Sequence, residues 1–309
     1  LLRDCFCVAV LLTFAGFIMR GTAHVHHLAI VLVPFALAED TALLKHAARL
    51  WGSEQAAMDA IKVHQLVHGG QMMKLAALKQ DDTIPRLAAE MDKDRYHLAD
   101  VRKLGHGLIL DVGANIGDVS VAAALKFPDA QIIAAEAVPH IAWIIRYNLL
   151  LNNISHLSLH DIQTSNKPGV HVWNRAVVSD SQLTAVNISF SPTMSQNAAV
   201  SYSGFNAWNS FPVKTIQSSD LLSFPKPIKL LKVDCEGCEF DLVPGLGNAF
   251  FNRAKVERFT AELHLSLVPV SSGPQPQTMA RVRTSAETKL LFDALTKRGC
   301  STAAWDIYC

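Results

Sequence analysis

The chain has 309 residues, of which half are hydrophobic and 18% are charged, and these proportions exclude an intrinsically disordered protein. Its 28 basic and 27 acidic residues leave a formal net charge of +1, so charge gives no reason to expect a nucleic-acid partner. A chain of this length can form one large domain or two small ones.

The first 38 residues are strongly apolar and contain no motif that could build a site. Residues 5–19 form an uncharged run of 15 residues, and residues 28–38 form a second run of 11. Neither run reaches the roughly 20 residues that a membrane-spanning helix needs. The first run follows Arg3 and suits the core of a signal peptide. We therefore interpret residues 1–38 as a secretory signal or a membrane anchor. The alternative is that they are two buried or frayed hydrophobic segments of this chain, which would then be cytoplasmic.

Residues 39–103 are predicted to form a helical region that precedes the main domain. Apolar residues recur three and four positions apart in residues 41–51 and 54–67, which is the spacing of one helix face. Gly69 and Gly70 interrupt this pattern, and it resumes at residues 72–78. The region carries no recognisable motif, so we interpret it as a packing layer or a lid.

Residues 104–309 alternate short apolar runs with amphipathic stretches, which predicts a mostly parallel sheet with helices on both faces. The predicted fold class is therefore α/β and Rossmann-like. The predicted strands are residues 108–112, 131–135, 170–178, 184–190, 228–233, 256–263 and one late strand at 303–308. The predicted helices are residues 116–127, 139–151 and 285–298, and the predicted loops are residues 152–169, 191–210 and 269–278.

A glycine-rich loop, DVGANIGD, joins the first predicted strand of this domain to the helix that follows. Glycine permits unusual backbone dihedral angles and a close approach of the backbone to a ligand. At the carboxyl end of a parallel strand, such a loop forms the floor of a crevice. The loop therefore predicts a site for a nucleotide-like ligand.

Glu136 follows the second predicted strand and lies 19 residues after Gly117. A carboxylate at this position can accept hydrogen bonds from both hydroxyl groups of a ribose. The loop and the acid suit either a nicotinamide cofactor or S-adenosylmethionine. Asp111 and Asp118 flank the GANIG loop, where they would repel a pyrophosphate but attract the positive sulfonium and ammonium groups of S-adenosylmethionine. The sequence therefore predicts S-adenosylmethionine.

Acidic side chains also follow two later strands. In KVDCEGCE, Asp234 and Glu236 could orient a substrate hydroxyl, accept its proton or hold a cationic cofactor, whereas Glu239 equally suits a helix N-terminus. Glu262 and His264 share one face at the end of residues 256–263, and a histidine near neutral pKa is a fair general base. The candidate catalytic residues are His264, Asp234, Glu236 and Glu262.

The six cysteines are too few and too scattered for a disulfide scaffold. Cys235 and Cys238 form a CxxC pair, but a zinc site needs two more ligands nearby, and the sequence offers none. We therefore predict no metal site, and we interpret these two cysteines as small core residues rather than as a redox pair.

Five segments together, LILDVGANIGDVS, IIAAEAVP, RAVVSD, LLKVDCEGCEFDLVPG and AELH, resemble the FkbM family of methyltransferases in that order. The resemblance implies a class I methyltransferase fold with S-adenosylmethionine as the methyl donor, and O-methylation of a sugar or natural product. It implies that a cofactor site contains Gly113, Asn115, Gly117, Glu136, Asn174 and Ala176, and the positive charges of the cofactor add the acids Asp111 and Asp234. The chain departs from the family in the long loop at residues 154–169 and in having one late strand where two are usual.

The sequence thus predicts an O-methyltransferase whose partner is a small-molecule or glycan hydroxyl, with membrane association through residues 1–38. One alternative is a nicotinamide-dependent oxidoreductase on a similar sheet, although a GxGxxG loop is missing. The other is a catalytically inactive methyltransferase-like module that acts by binding. A cofactor-binding titration separates the oxidoreductase from the other two, and a turnover assay separates those.

Overall fold

A computed structural model describes residues 38–81, 84–101, 107–178, 182–191, 194–200, 209–252, 254–264, 285–303 and 306–309. The predicted signal or anchor, apart from its last residue, and the predicted loop at residues 269–278 lie outside these residues. Within the described part of the chain, no helix is both long enough and apolar enough to cross a membrane.

Nine α-helices and thirteen strands make up the described structure. The helices are α1 (Ala38–Trp51), α2 (Glu54–Ala60), α3 (Ile84–Asp92), α4 (Asp118–Lys126), α5 (Pro139–Leu151), α6 (Leu159–Thr164), α7 (Glu239–Leu246), α8 (Asn248–Phe251) and α9 (Ser285–Arg298). The strands are β1 (Ile61–His68), β2 (Gln71–Leu78), β3 (Leu108–Val112), β4 (Gln131–Ala135), β5 (Gly169–Trp173), β6 (Ala176–Val178), β7 (Ala185–Ser191), β8 (Met194–Val200), β9 (Asn209–Gln217), β10 (Ile228–Val233), β11 (Phe259–Glu262), β12 (Ser301–Ala303) and β13 (Asp306–Tyr308).

The central sheet has seven strands in the order β12-β13-β11-β10-β3-β4-β5. The five strands from β11 to β5 run parallel, and β13 runs antiparallel to both of its neighbours. The order of strands along the sheet reverses between β3 and β10, which is the position where ligands bind in open α/β sheets. The Rossmann-like fold class is confirmed.

Helices cover both faces of this sheet because alternate residues of its strands belong to two separate cores. Ile109 and Ile132 pack in one core, with residues of α4 and α5. Leu110 and Ile133 pack in the other core, with residues of α7 and α9. Strands that are buried on both faces consist of almost continuous apolar residues, as β3 and β4 do.

The prediction of a helical region at residues 39–103 is wrong at residues 61–78. These residues form an antiparallel hairpin, in which β1 pairs with β2 across the Gly69-Gly70 turn. Both glycines have positive φ angles, +56° and +79°. The Met, Leu, Ala and Lys residues of β2 favour helix on their own, so tertiary packing decides the conformation here.

Helix α5 supplies that packing through two asparagine side chains. The Asn148 amide accepts a hydrogen bond from the Ala76 N–H at 2.6 Å and donates one to the Ala76 carbonyl at 3.1 Å. Asn152 makes the same pair of bonds with the backbone of Lys74, at 2.9 and 2.7 Å. The two amides therefore act as the neighbouring strand that the edge of β2 lacks.

Three further predictions are corrected after β4. The predicted loop at residues 152–169 contains α6, whose first turn is closed by a capping box between Ser158 and Asp161. The single strand predicted at residues 170–178 is divided at Asn174 and Arg175 into β5 and β6, which belong to different sheets. The predicted loop at residues 191–210 contains β8.

A four-stranded sheet, in the order β6-β9-β7-β8, is formed by the chain between β5 and β10. The strand predicted at residues 184–190 is confirmed as β7. The strand predicted at residues 256–263 is the shorter β11. The structure has two late strands, β12 and β13, where the sequence predicted one. Residues 304–305, between these two strands, lie outside the described part.

Candidate functional site

A cleft opens at the carboxyl ends of β3, β4 and β10, where the strand order reverses. Its lining comes from the ends of these three strands, from the glycine loop and from β6. Of the predicted cofactor residues, Gly113, Asn115, Glu136, Ala176 and Asp234 line the cleft. Asp111, Gly117 and Asn174 are not among the residues that line it.

The glycine loop forms one wall of the cleft, but packing between strands explains its first glycine. Gly113 has a φ angle of +73°, and a Cβ atom there would lie 1.8 Å from the backbone oxygen of Asp234. Any side chain would therefore push β3 and β10 apart at their ends. Asn115 also has a positive φ angle, +47°, which asparagine tolerates better than most residues. The loop brings backbone to the cleft, as predicted. Gly113 is required there by the close packing of the Asp234 backbone, whereas the sequence analysis explained it by the approach of a ligand.

Glu136 is buried at the end of β4 and joins that strand to the glycine loop. Its Oε2 atom accepts a hydrogen bond from the Asn115 N–H at 3.0 Å, and its Oε1 atom accepts one from the Val138 N–H at 2.8 Å. Burial raises the pKa of Glu136 to about 7, although both hydrogen bonds oppose the rise. A carboxylate has about four acceptor positions, so two remain for hydroxyl donors in the cleft.

Asp111 is fully buried beneath the cleft and does not line it. Its Oδ1 atom lies 3.0 Å from Nζ of Lys232, and its Oδ2 atom accepts a hydrogen bond from Ser120 at 2.7 Å. Lys232 also donates to the Gly113 carbonyl at 2.6 Å. Asp111 therefore holds Lys232 under the loop. Asp118 lies in the cleft wall, and burial raises its pKa to about 7.

The break between β5 and β6 shapes the other wall. The Asn174 side-chain amide donates to the carbonyls of Glu136 and Ala137, at 2.9 and 2.8 Å. It thereby positions the residue on which ribose binding is predicted to depend. Arg175 and Ala176 follow it and line the cleft directly.

Asp234 stands at the end of β10, next to two cations and a phenol. Tyr96 donates a hydrogen bond to its Oδ2 atom at 2.7 Å, and Nζ of Lys232 lies 3.9 Å from the same oxygen. Burial alone would raise the pKa of Asp234, but the charges of Lys232 and His264 outweigh it and lower that pKa below its usual value. Asp234 is therefore held in its ionised form.

Residues 235–238 form a tight turn that carries Glu236 in an unusual conformation. Glu236 has a φ angle of +55°, which is uncommon for a glutamate and marks local strain of the kind found at functional sites. A disulfide bond joins Cys235 to Cys238 across this turn, so the interpretation of both as simple core residues is wrong. A second disulfide joins Cys300 to Cys309.

His264 lies beside three carboxylates but is not among the residues that line the cleft. Its Nδ1 atom is 3.1 Å from Oε1 of the buried Glu239, and its Nε2 atom is 3.4 Å from Glu236 and 3.8 Å from Asp234. Burial lowers the pKa of His264, but hydrogen bonds to Glu236 and Glu239 raise it to about 11. The structure therefore brings His264 next to the predicted acids without exposing it to the cleft.

Glu262 is held by an arginine that the sequence analysis did not single out. Nη1 of Arg95 lies 3.0 Å from Oε2 of Glu262 and 2.8 Å from Glu90, and its Nη2 atom lies 2.7 Å from Asp306. Burial raises the pKa of Glu262, as does the charge of Asp234, and Arg95 opposes this rise. Glu262 is not among the cleft-lining residues.

The charged side chains of the cleft wall are predominantly acidic. Five carboxyl groups and three cationic groups line the cleft. Burial raises the pKa of Asp118 and Glu136 to about 7, so these two carry only part of a negative charge at neutral pH, and the small remaining excess of acidic charge favours a ligand that carries positive charge. The carboxylates belong to Glu90, Asp118, Glu136, Asp234 and Glu236, and the cations to Arg86, Arg175 and Lys232.

Comparisons with known proteins add little to this geometry. No family model and no curated protein matches the chain. One solved structure that resembles it is precorrin-6y C5,15-methyltransferase from Geobacter metallireducens GS-15, at 13% sequence identity over 68% of this chain and 81% of that chain. The TM-score of this likeness is 0.31, which is too low to support an argument about function.

Proposed function

We propose that the chain is an S-adenosylmethionine-dependent methyltransferase, and that it methylates a hydroxyl oxygen of a sugar or natural product. The observation that carries the proposal is the buried Glu136 carboxylate, which ends β4 beside the glycine loop and lines the cleft. The acidic excess of the cleft wall supports a cationic cofactor over a pyrophosphate. The FkbM resemblance supplies the substrate class and is part of the proposal. It implies two late strands, and β12 and β13 fit that expectation.

The residues of the cleft fit the cofactor that this proposal requires. The free acceptor positions of Glu136 suit the two hydroxyls of a ribose. The backbone at Gly113 and Asn115 lies against the same space. Asp118, Asp234 and the other acids of the wall suit the positive charges of S-adenosylmethionine, whereas the diphosphate of a dinucleotide would meet their repulsion.

S-adenosylmethionine supplies a methyl group bonded to a positively charged sulfur. The protein contributes mainly by orienting the substrate oxygen toward that methyl carbon and by excluding water. Asp234 and Glu236 are the cleft-lining acids best placed to accept the hydroxyl proton, because both lie at the end of β10. Tyr96 and Lys232 hold Asp234 in position. His264 and Glu262 lie behind these two acids and act through them.

Two other functions compete with this proposal. A nicotinamide-dependent oxidoreductase would use the same switch point of the sheet, but its pyrophosphate would have to lie among the cleft acids. A catalytically inactive binding module would keep the cleft without turnover. Cofactor binding separates the first rival from the proposal, and turnover separates the second.

The experiment is methyl transfer from radiolabelled S-adenosylmethionine into small molecules and glycans of a cell extract, followed by identification of the labelled product. We expect label in a methyl ether, and at least about 100-fold less label when an Asp234→Asn/Glu236→Gln double variant replaces the wild type. Label on nitrogen or carbon would contradict O-methylation. If the cofactor binds but no extract supports transfer, the inactive module is the better account.

A further inference from the structure

We propose that Asp234, Glu262 and His264 form a binding site for a divalent metal cation beside the cleft. The three side chains come from the ends of the adjacent strands β10 and β11, and one ligand atom from each lies within 4.8 Å of the others. His264 Nε2 and Asp234 Oδ1 are 3.8 Å apart. Ligands that share one metal at bond lengths of roughly 2.0–2.2 Å stand about 3–4 Å apart, so small side-chain rotations complete the site.

The buried Glu239 gives this site an outer carboxylate. Its Oε1 atom lies 3.1 Å from Nδ1 of His264 and accepts a hydrogen bond from the Cys235 N–H at 3.0 Å. A metal-binding histidine almost always gives its second ring nitrogen to such a partner, which fixes the ring and its tautomer. Glu239 is fully buried, and its Oε2 atom has no hydrogen-bond partner in the described structure.

The surroundings of the other ring nitrogen point in the same direction. Nε2 of His264 faces carboxylate oxygens of Glu236 at 3.4 Å and of Asp234 at 3.8 Å. A nitrogen lone pair cannot lie favourably against two anions, so a cation must occupy the space between them. A proton on Nε2 can take that place, and a divalent metal that displaces the proton gains both carboxylates as neighbours.

The charge balance leaves room for such a metal. Asp234, Glu236, Glu239 and Glu262 gather around His264, while Lys232 is already paired with Asp111. Arg95 does not neutralise Glu262 alone, because it is shared with Glu90 and Asp306. Asp234 and Glu262 each have one oxygen held by a protein donor, Tyr96 or Arg95, and this leaves the second oxygen as a ligand.

The donor set selects the type of metal. Carboxylates together with one imidazole suit Mn²⁺, Fe²⁺ or Zn²⁺ better than Ca²⁺, which prefers oxygen ligands alone. A metal at this position would lie next to the cleft-lining oxygens of Asp234 and Glu236. It would bind the substrate hydroxyl and lower its pKa, and so make a strong general base unnecessary. This role in turnover rests on the proposed function, whereas metal binding itself does not.

The test is titration of Mn²⁺ into the metal-free full-length chain, without cofactor, followed by electron paramagnetic resonance of the free ion. We expect one saturable site per chain. Glu262→Gln and His264→Ala should each weaken binding by at least about tenfold, and Glu239→Gln, which alters only the outer carboxylate, by about 10–100-fold. His160→Ala is the control, because this histidine is exposed on α6. Circular dichroism establishes whether each variant is folded. If His264→Ala does not fold, the nearly isosteric Glu262→Gln carries the test alone.

Absence of saturable binding of either Mn²⁺ or Zn²⁺ at millimolar concentration would overturn the site. Binding that the Glu262 and His264 substitutions leave unchanged would also overturn it. The two proposals fail separately: metal binding without S-adenosylmethionine binding would reject the proposed function alone, and the reverse result would reject the metal site alone.

Discussion

Lys232 and Asp111 occupy opposite positions in β10 and β3, and their side chains meet at 3.0 Å across the point where the strand order reverses. Both are almost fully inaccessible, with 3% and 0% of the side chain exposed. The pair joins the two strands whose carboxyl ends carry Asp234 and the glycine loop. Lys232 also donates to the Gly113 carbonyl, so a single ammonium group connects the loop to the candidate catalytic strand.

Breaking this pair should destabilise the protein strongly. Asp111→Asn or Lys232→Met each leaves one buried charge without its partner, which costs about 3–5 kcal/mol of the free energy of unfolding. The double variant Asp111→Asn/Lys232→Met should recover much of that loss, since it leaves neither charge behind. Chemical denaturation measures all three. Additive losses in the double variant would show that the two residues stabilise the sheet independently.

Replacement of Glu136 by alanine should weaken S-adenosylmethionine binding without unfolding the protein. Hydrogen bonds to a charged carboxylate contribute roughly 1.5–3 kcal/mol each, so we expect a loss of at least about tenfold in affinity. Calorimetric titration measures the dissociation constant, and Glu54→Ala, at an exposed position in α2, is the control. An unchanged dissociation constant in folded Glu136→Ala protein would reject the ribose assignment.

The pKa of Glu136 predicts a pH-dependent stability. Burial raises this pKa to about 7, so the folded protein binds a proton at Glu136 more tightly than the unfolded chain does. The contribution of this proton to the free energy of unfolding is fully present below about pH 4.5, the usual pKa of a glutamate. It is lost as the pH rises through 7. The melting temperature of Glu136→Gln minus that of the wild type, both without ligand, should therefore be more positive at pH 8 than at pH 4.5. Glu54→Gln should show no such trend. A constant difference for Glu136→Gln would contradict the raised pKa.

Asp234 and Glu236, the cleft-lining acids that follow β10, should matter for the rate of methyl transfer, whereas Glu136 should matter for cofactor binding. Removal of the group that accepts the hydroxyl proton should lower single-turnover methyl transfer by about 10²–10⁴-fold and leave cofactor affinity largely intact. We expect this of Glu236→Gln, measured once a substrate is known, whereas Asp234→Asn should lower the transfer rate and also weaken cofactor binding, because Asp234 faces the positive charges of the cofactor. If both variants transfer at normal rates, neither side chain accepts the proton, and positioning alone accounts for catalysis.

The sequence predicted the central strands well because their signals are local. Strands β3, β4 and β10 and helix α5 have the predicted bounds. Glu136 lies beside the glycine loop, as expected. The hairpin was missed because the free edge of β2 takes its hydrogen-bond partners from the side chains of Asn148 and Asn152, which are more than 70 residues away. Buried Lys232 and Asp111 were visible as opposite charges in two apolar strands, and this signal could have predicted their pairing.

Local sequence patterns could not predict the contacts made by the acidic side chains around His264. Tyr96 and Arg95 contact Asp234 and Glu262 only through the fold, and their own segment carries no motif. The three carboxylates around His264 could be expected at one sheet edge from strand topology. Their distances from the ring, and the burial of Glu239 behind it, depend on the turn at residues 235–238, whose conformation no periodicity predicts.

Calorimetric titration of the purified protein with S-adenosylmethionine, its demethylated product and NAD tests the central claim most directly. The acidic cleft and Glu136 predict that the first two bind with micromolar or better affinity, that Glu136→Ala weakens both, and that NAD does not bind. Micromolar binding of NAD, with no binding of S-adenosylmethionine, would contradict the account and assign the cleft to a nicotinamide cofactor.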